Sequence, residues 1–317
     1  MNTFNLYRQV LQGKWFIHYS YAITMGALLD NIFKEKASSD VRDWMQAPTM
    51  DLEQSKGRAS LPMRAANEQC EINSIQDLDQ VAPGSVAIIP LKGVMVKYGT
   101  WCEYGTEEIA AALIRAAEHS NIEAIILDID SGGGAVDAVP PMIEAIDRVR
   151  NEFNKPILAC ADLCASAAYW VASRCDRVLA LNPISSEFGS IGVMMSFWDM
   201  VPFYEKEGYK FHRIYAPEST HKNLPLENAL QGKYDLIKEE ELSPLAIAFQ
   251  DAIRDNRGSK LKMETEGLLN GRMFYAVNKR ESGLNAQGVG LIDGVSTLSD
   301  AISLALSMSE VKRFMND

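Results

Sequence analysis

Apolar residues change their spacing several times along this chain, and each change predicts an element. The run "IEAIILDID" (122–130) is almost unbroken and bounded by polar turns, which predicts a strand buried on both faces. "SVAIIPLKGVMV" (85–96) predicts a strand, a turn at Lys92-Gly93 and a second short strand. "KPILACADL" and "DRVLALNP" are two more strand-like runs. Between them the period lengthens. Ile109, Leu113 and Ala116 recur at helical spacing in "TEEIAAALIRAAEHS", with Glu107 and Glu108 at the end where a helix dipole favours negative charge. Met142, Ile146, Val149 and Phe153 do the same in "PPMIEAIDRVRNEF", which opens on prolines suited to a first helical turn. "SAAYWVASRC" predicts a short helix of small and aromatic residues. Strand and helix alternate over short connections, so the predicted class is α/β, with parallel β-α-β units and right-handed crossovers.

Two further segments are read from pattern alone. "KFHRIYA" is strand-like, and "ELSPLAIAFQDAI" is an apolar helix that suits a core and a subunit interface equally. Residues 1–75 are different. They are polar and charged over long stretches without sustained period, and are expected to form an N-terminal arm or linker, partly helical, ahead of a main domain at 76–317. Within the arm, "WFIHYSYAITMGALL" (15–29) is interrupted by His18, Tyr19, Ser20 and Tyr21. It falls short of the ~18 apolar residues of a membrane span and is read as a helical or mixed core segment, not a signal peptide.

Composition narrows the class. Hydrophobic residues make up 47% of 317, enough for a sizeable core. Acidic residues outnumber basic ones 42 to 31, a net charge of -11, which argues against a nucleic-acid-binding face and suits a soluble cytoplasmic protein. The five cysteines contain no C-x-x-C pair, so free thiols in a reducing compartment are expected rather than a disulfide framework or a zinc site.

In such folds, sites lie at the C-terminal ends of the strands. Two features come directly after strand ends here: the glycine turn "DSGGGAV" (130–136), and Ser166 in "ADLCASAAYW" (161–170). The turn carries neither phosphate-loop pattern, G-x-x-x-x-G-K-[ST] or G-x-G-x-x-G. A serine at a helix start is a cap or a nucleophile, and the second role needs a base, an oxyanion hole and access. The glycine turn can supply one oxyanion donor, and the N–H of Ala167 another. Of the four histidines, His18, His119, His212 and His221, only the last sits in a plausible loop, "APESTHKNLPLEN", with Lys222 beside it. A lysine serves as general base when burial lowers its pKa from ~10.4 to roughly 7–8.

The ordered motifs D-S-x-G-G, "CASAAYWVAS", "EFGSIGV", a loop lysine and "GRMFYAVNKRESGLNAQGVGLIDGV" span roughly Ser85 to Ser296. In that order they resemble the signal peptide peptidase A family of serine proteases. That family includes the phage head-maturation proteases of the lambda type and belongs to the Clp protease/crotonase superfamily. The resemblance implies stacked β-α-β units with a mostly parallel sheet. It also implies a Ser-Lys dyad of Ser166 as nucleophile and Lys222 as base. Gly133, Gly134 and Ala167 would form the oxyanion hole, with Ser190 and His221 as accessory candidates. It implies no metal or cofactor, a homo-oligomeric ring, and peptide or protein substrates. No membrane anchor is expected from the sequence, which would favour the soluble phage-type branch, processing capsid or scaffold proteins in the host cytoplasm or the phage prohead. Autocleavage is expected between Lys56 and Arg64. Three departures stand out: Gly132 where the family usually has proline, Ala167-Ala168 where glycine is common, and "STHKNLP" in place of a K-D-x-G-S loop. Two other readings fit the same fold: a non-catalytic phage assembly protein, and a crotonase-type acyl-CoA enzyme, which would lean on carboxylates rather than on Ser166.

Overall fold

The apolar run 122–130 lies at the centre of the sheet. The computed structural model of the protein describes residues 14–17, 63–67, 69–75, 78–99, 104–197, 199, 201–277 and 284–316. Its strands are β1 (Lys14–Ile17), β2 (Met63–Ala66), β3 (Ile72–Ile75), β4 (Ser85–Lys92), β5 (Ile122–Ser131), β6 (Gly133–Ala135), β7 (Ile157–Ala165), β8 (Arg177–Ala180), β9 (Glu187–Gly189), β10 (Met194–Met195), β11 (Met273–Tyr275) and β12 (Gly294–Val295). Its main helices are α1 (Thr106–Glu118), α2 (Val139–Asn151), α3 (Ala167–Ser173), α4 (Val201–Lys206), α5 (Leu224–Leu230), α6 (Ser243–Arg257) and α7 (Leu298–Asn316).

The larger sheet runs in the order β11-β9-β7-β5-β4-β2-β3, with β8 beside β7 and β12 beside β8. β4, β5, β7, β8 and β9 pair in parallel, as the alternating pattern predicts. Its two faces are covered differently. Ile125, Leu127 and Ile129 of β5 face a large core shared with α1, α2 and α3. Ala124 and Ile126 face a smaller core closed by Ala301, Ile302 and Ala305 of α7. Coverage on both faces is why β5 reads as a continuous apolar run rather than an alternating one. The polar interruption, Asp128, takes Arg64 at 2.9 Å and Lys92 at 2.6 Å.

The sheet also reaches into the span read as an arm. β2 pairs antiparallel with β4, and β3 with β2. Met63 and Arg64, the end of the expected autocleavage stretch, are therefore sheet residues, and 56–62 lie outside the described residues. Of the stretch 15–29, residues 15–17 belong to β1 and the rest lies outside the described residues. The strand-like "KFHRIYA" has no regular structure and is exposed. Its alternation has no sheet edge to join, so the local preference goes unused. The helix in "ELSPLAIAFQDAI" forms as α6, with Phe249 and Ile253 fully buried and Phe249 stacked on Trp170 at 4.7 Å.

The strand that leads to Ser166 splits its partners. β7 pairs with β8 over Leu158–Ala161, and with β9 over Leu163–Ala165. Its register against β5 slips by one residue between Ala161 and Cys164. A one-residue bulge bends a strand and re-aims the residues beyond it. Asp162, at the bulge, accepts hydrogen bonds from Asn182 (2.6 Å) and Ser186 (3.3 Å), tying down the loop that joins β8 to β9.

Candidate active site

Three chain segments converge at the C-terminal ends of the parallel strands. β4 leads to Met95, β5 to the glycine turn and β7 to Ser166. Ser131 closes the glycine turn: its hydroxyl donates to the Gly93 carbonyl and accepts from the Gly133 N–H at 3.2 Å. Gly133 has φ +96°, which a side chain would strain. Past it the chain becomes β6, bonded to Met95 through Met95 N–H to Gly133 O and Ala135 N–H to Met95 O, both 2.9 Å. The approach at Gly134 is so close that a Cβ there would lie 1.9 Å from the Met95 carbonyl oxygen. The glycines of the sequence motif are thus fixed by one left-handed turn and one backbone contact.

Ser166 joins β7 to α3 with φ 55° and ψ -121°, a conformation glycine prefers. It is held there from both sides. Its N–H donates to the Gly189 carbonyl at 2.8 Å, and its carbonyl accepts from Trp170 at 3.0 Å. The residue is 1% exposed, and its hydroxyl approaches the Gly192 carbonyl at 3.5 Å. An ordinary capping serine takes an extended backbone and bonds an N–H of the first turn. Ser166 does neither. Ala167 comes next as the first residue of α3, where N–H groups have no acceptor within the helix.

The segment "EFGSIGV" surrounds this serine. Gly189, at φ +131°, sits where a Cβ would meet the Arg272 carbonyl oxygen at 2.3 Å. Ser190 also has positive φ, and its N–H donates to that same carbonyl at 3.0 Å. Gly189 and Gly192, whose carbonyls touch Ser166, are site residues that sequence reasoning missed. The motif repeat G-S-I-G was the available signal. Ser190 works through its backbone, as a clamp between β9 and β11.

The "GLIDGV" motif acts from behind the helix. Tyr169 of α3 donates its hydroxyl to the Leu291 carbonyl at 2.7 Å. Asp293 grips Arg257 through two hydrogen bonds (3.0 and 3.2 Å), takes Lys260 at 2.7 Å and accepts the Val178 N–H at 2.8 Å. Burial pushes the Asp293 carboxyl up, but hydrogen bonds from Arg257, Lys260 and Val178 outweigh it and hold the pKa at about 2. Burial, and then the Arg257 contact working the other way, leave the Tyr169 phenol raised, so it stays a donor.

The other nucleophile candidates nearby are inert. Cys164, two residues before Ser166, is fully buried, and burial first and Cys175 second push its thiol well up. Burial likewise raises Cys160 to about 12. Cys70, Cys160, Cys164 and Cys175 are free thiols, while Cys102 lies outside the described residues.

The base candidates lie on the exposed stretch before α5. Lys222 is exposed, and its ammonium has no hydrogen bond or ion pair with the described residues. His221 is exposed too and pairs with Glu240 at 2.7 Å. His119 is engaged at the end of α1, and His212 lies in the exposed stretch. Gly133, Gly134, Ser166, Ala167 and Ser190 are gathered at one place. Among the described residues, neither Lys222 nor His221 has a hydrogen bond or ion pair to that group.

A serine set on a strained strand-to-helix turn beside a glycine strand with close-approach geometry is an arrangement of the kind that acyl-transfer chemistry uses. The chain belongs to peptidase family S49, whose profile matches residues 150–312. It is 29% identical over 225 residues to the head-tail preconnector protein GP5 of Enterobacteria phage P21, covering 69% of this chain and 42% of that protein. It is 29% identical over 167 residues to capsid assembly protease C of Escherichia phage lambda (49% and 37%), and 23% identical over 228 residues to protease 4 of Haemophilus influenzae (70% and 34%). The chain thus spans less than half the length of these relatives. A solved membrane-bound stomatin-specific protease aligns over 70% of this chain and 83% of its own at 17% identity, with a TM-score of 0.37, too loose to carry weight beside the sequence matches. Among the described residues no helix is long and apolar enough to cross a membrane.

Proposed function

We propose that the protein is a serine endopeptidase that cleaves peptide bonds through an acyl-enzyme, with Ser166 as nucleophile and Lys222 as general base. The observation that carries this reading is the placement of Ser166, nearly buried, in a backbone conformation that a plain cap has no use for. Its oxygen adds to a peptide carbonyl carbon while its proton passes to the Lys222 amine. The charge that develops on the carbonyl oxygen is received by the N–H groups of Gly134 and Ala167, with Gly133 shaping the turn. The C–N bond breaks as the lysine returns the proton to the leaving amine. Water, deprotonated by the same lysine, then hydrolyses the ester and restores Ser166.

A lysine acts as a base only when neutral, which requires that it be taken out of water. Residues 201–223 are exposed at nearly every position and carry Phe203, Tyr209, Phe211 and Ile214 outward, the last 91% exposed. Apolar surface of this kind marks an interaction face. The loop closes when copies assemble into a homo-oligomeric ring, and closure dries Lys222. Relatives named for capsid assembly and for the head-tail preconnector support capsid or scaffold proteins as substrates, met in the host cytoplasm or the assembling head.

Fluorophosphonate labelling with peptide mapping tests the chemistry, on monomeric and oligomeric fractions alike. The wild type labels on Ser166, and Ser166→Ala and Lys222→Ala do not. Absence of label in every fraction, of the wild type and of variants in which the site has been opened, overturns the reading.

A further inference from the structure

The smaller sheet of the molecule has three strands in the order β10-β1-β6. Both outer strands belong to the site. β6 is the glycine strand, and it packs against α3. β10 begins two residues after Gly192, whose carbonyl faces the Ser166 hydroxyl. The middle strand does not come from the site. β1 is residues 14–17, from the far N-terminal part of the sequence, and it runs antiparallel to both neighbours. Without β1, the facing edges of β6 and β10 stand two strand spacings apart, roughly 9.6 Å, the width of one extended chain.

The register is specific. Phe16 lies opposite Gly134, with Trp15 opposite Ala135 and Ile17 opposite Gly133. Gly133 O and Ala135 N–H are already spent on Met95. Backbone groups alternate sides along a strand, so the N–H and C=O of Gly134 point the other way, at β1. The Phe16–Gly134 pair is therefore the hydrogen-bonded kind, and the Phe16 carbonyl accepts the N–H assigned above to the oxyanion. By the same alternation Trp15 turns its backbone to β10, where it lies opposite Met194.

We propose that residues 14–17 form an internal blocking strand that fills the peptide groove between β6 and β10 in substrate register, so that the chain holds its own site closed until this strand is displaced. This rests on the reading of Ser166 and its glycine strand as the catalytic centre. An incoming substrate is then an extended peptide that replaces β1 by the same two-sided strand addition, with the carbonyl to be attacked in the position of Phe16.

Phe16→Pro is the variant that isolates the effect, because it removes the N–H that bonds Gly134 without altering the catalytic segments. The test is made in the full chain carrying Ser166→Ala, where no chemistry occurs. Amide exchange at Gly134 and Met194 is slow in that parent and becomes at least 10-fold faster with Phe16→Pro. A dye-labelled peptide of residues 12–19 binds the Phe16→Pro chain at least 10-fold more tightly than the parent. Trp15→Pro, which loses the β10 side instead, gives the same direction, and near-ultraviolet circular dichroism checks that each variant is folded. Unchanged exchange together with equal or absent peptide binding in folded variants overturns the proposal. These readouts do not use the Ser166 hydroxyl. A failure of the peptidase reading therefore appears separately, as absence of fluorophosphonate label on Phe16→Pro protein that retains Ser166.

Discussion

At the residue scale, Ser166 carries strain that a cap would not. Positive φ with ψ near -121° costs a non-glycine residue of order 1–3 kcal/mol, and the surrounding hydrogen bonds hold it in place. Ser166→Gly and Ser166→Ala both remove the proposed nucleophile, yet only glycine relieves the backbone. Urea unfolding is expected to find the glycine variant more stable than the alanine variant by about 1 kcal/mol, with fluorophosphonate labelling lost in both. Equal stabilities would mean that the turn is unstrained. Gly134 answers to the opposite constraint. A methyl group there collides with the Met95 carbonyl, so Gly134→Ala is expected to displace the proposed oxyanion donor and lower kcat by roughly 100-fold or more, with a fall in melting temperature. The base assignment separates in kinetics. Lys222→Ala is expected to cost about 10²–10⁴ in kcat, while His221→Ala, which frees Glu240 on an exposed face, changes it only a few-fold.

At the element scale, Ser166 is placed by parts far from it in sequence. The β7 bulge turns the strand from β8 to β9, and the α3 helix is pinned through Tyr169 to the Leu291 carbonyl, next to the Asp293–Arg257 pair. Arg257 is almost wholly buried, so removing its partner leaves an uncompensated charge. Asp293→Ala is expected to cost about 3–5 kcal/mol in denaturant unfolding. The same pair gives a pH dependence of defined sign. The Asp293 carboxyl titrates at about 2 in the folded protein against 3.8 when free. Its contribution of about 2 kcal/mol is fully present above the unfolded value and is lost as pH falls through the folded one. The stability gap between wild type and Asp293→Asn should stay constant from neutral pH to about pH 5 and narrow between about pH 4 and 2. A gap that is flat down to pH 2 would mean that the carboxylate is not held by Arg257.

At the scale of the whole molecule, acidity and exposed apolar surface work together. A net charge of -11 favours solubility, while the outward Phe203, Tyr209, Phe211 and Ile214 are the surface that the proposed assembly would cover. Mass photometry across a concentration series is expected to find a closed homo-oligomer, with peptide cleavage rising as it forms. Phe211→Glu together with Ile214→Glu should leave an inactive monomer with an unchanged melting temperature. A monomer that cleaves peptides at full rate would sink the assembly requirement. On these two proposals, assembly and release of β1 would be separate controls on one site.

The parallel core, its helices and the turns that flank Ser166 were legible in the sequence because they depend on local rules. Period-2 and period-3.6 spacing, prolines at helix starts and glycines at sharp turns are written residue by residue, and the motif order D-S-x-G-G, A-S-A-A-Y, G-S-I-G-V points to one family. The parts that stayed hidden depend on partners distant in the chain. The alternation in "KFHRIYA" is that of a strand, but no sheet edge meets it. Met63–Ala66 and Ile72–Ile75 look like linker until β4 offers an edge to pair with. Lys14–Ile17 gain their meaning only by lying between β6 and β10. Local preference is a property of a few consecutive side chains, whereas strand pairing satisfies backbone groups that any sequence carries, so only the tertiary structure decides which segment lies opposite Gly134.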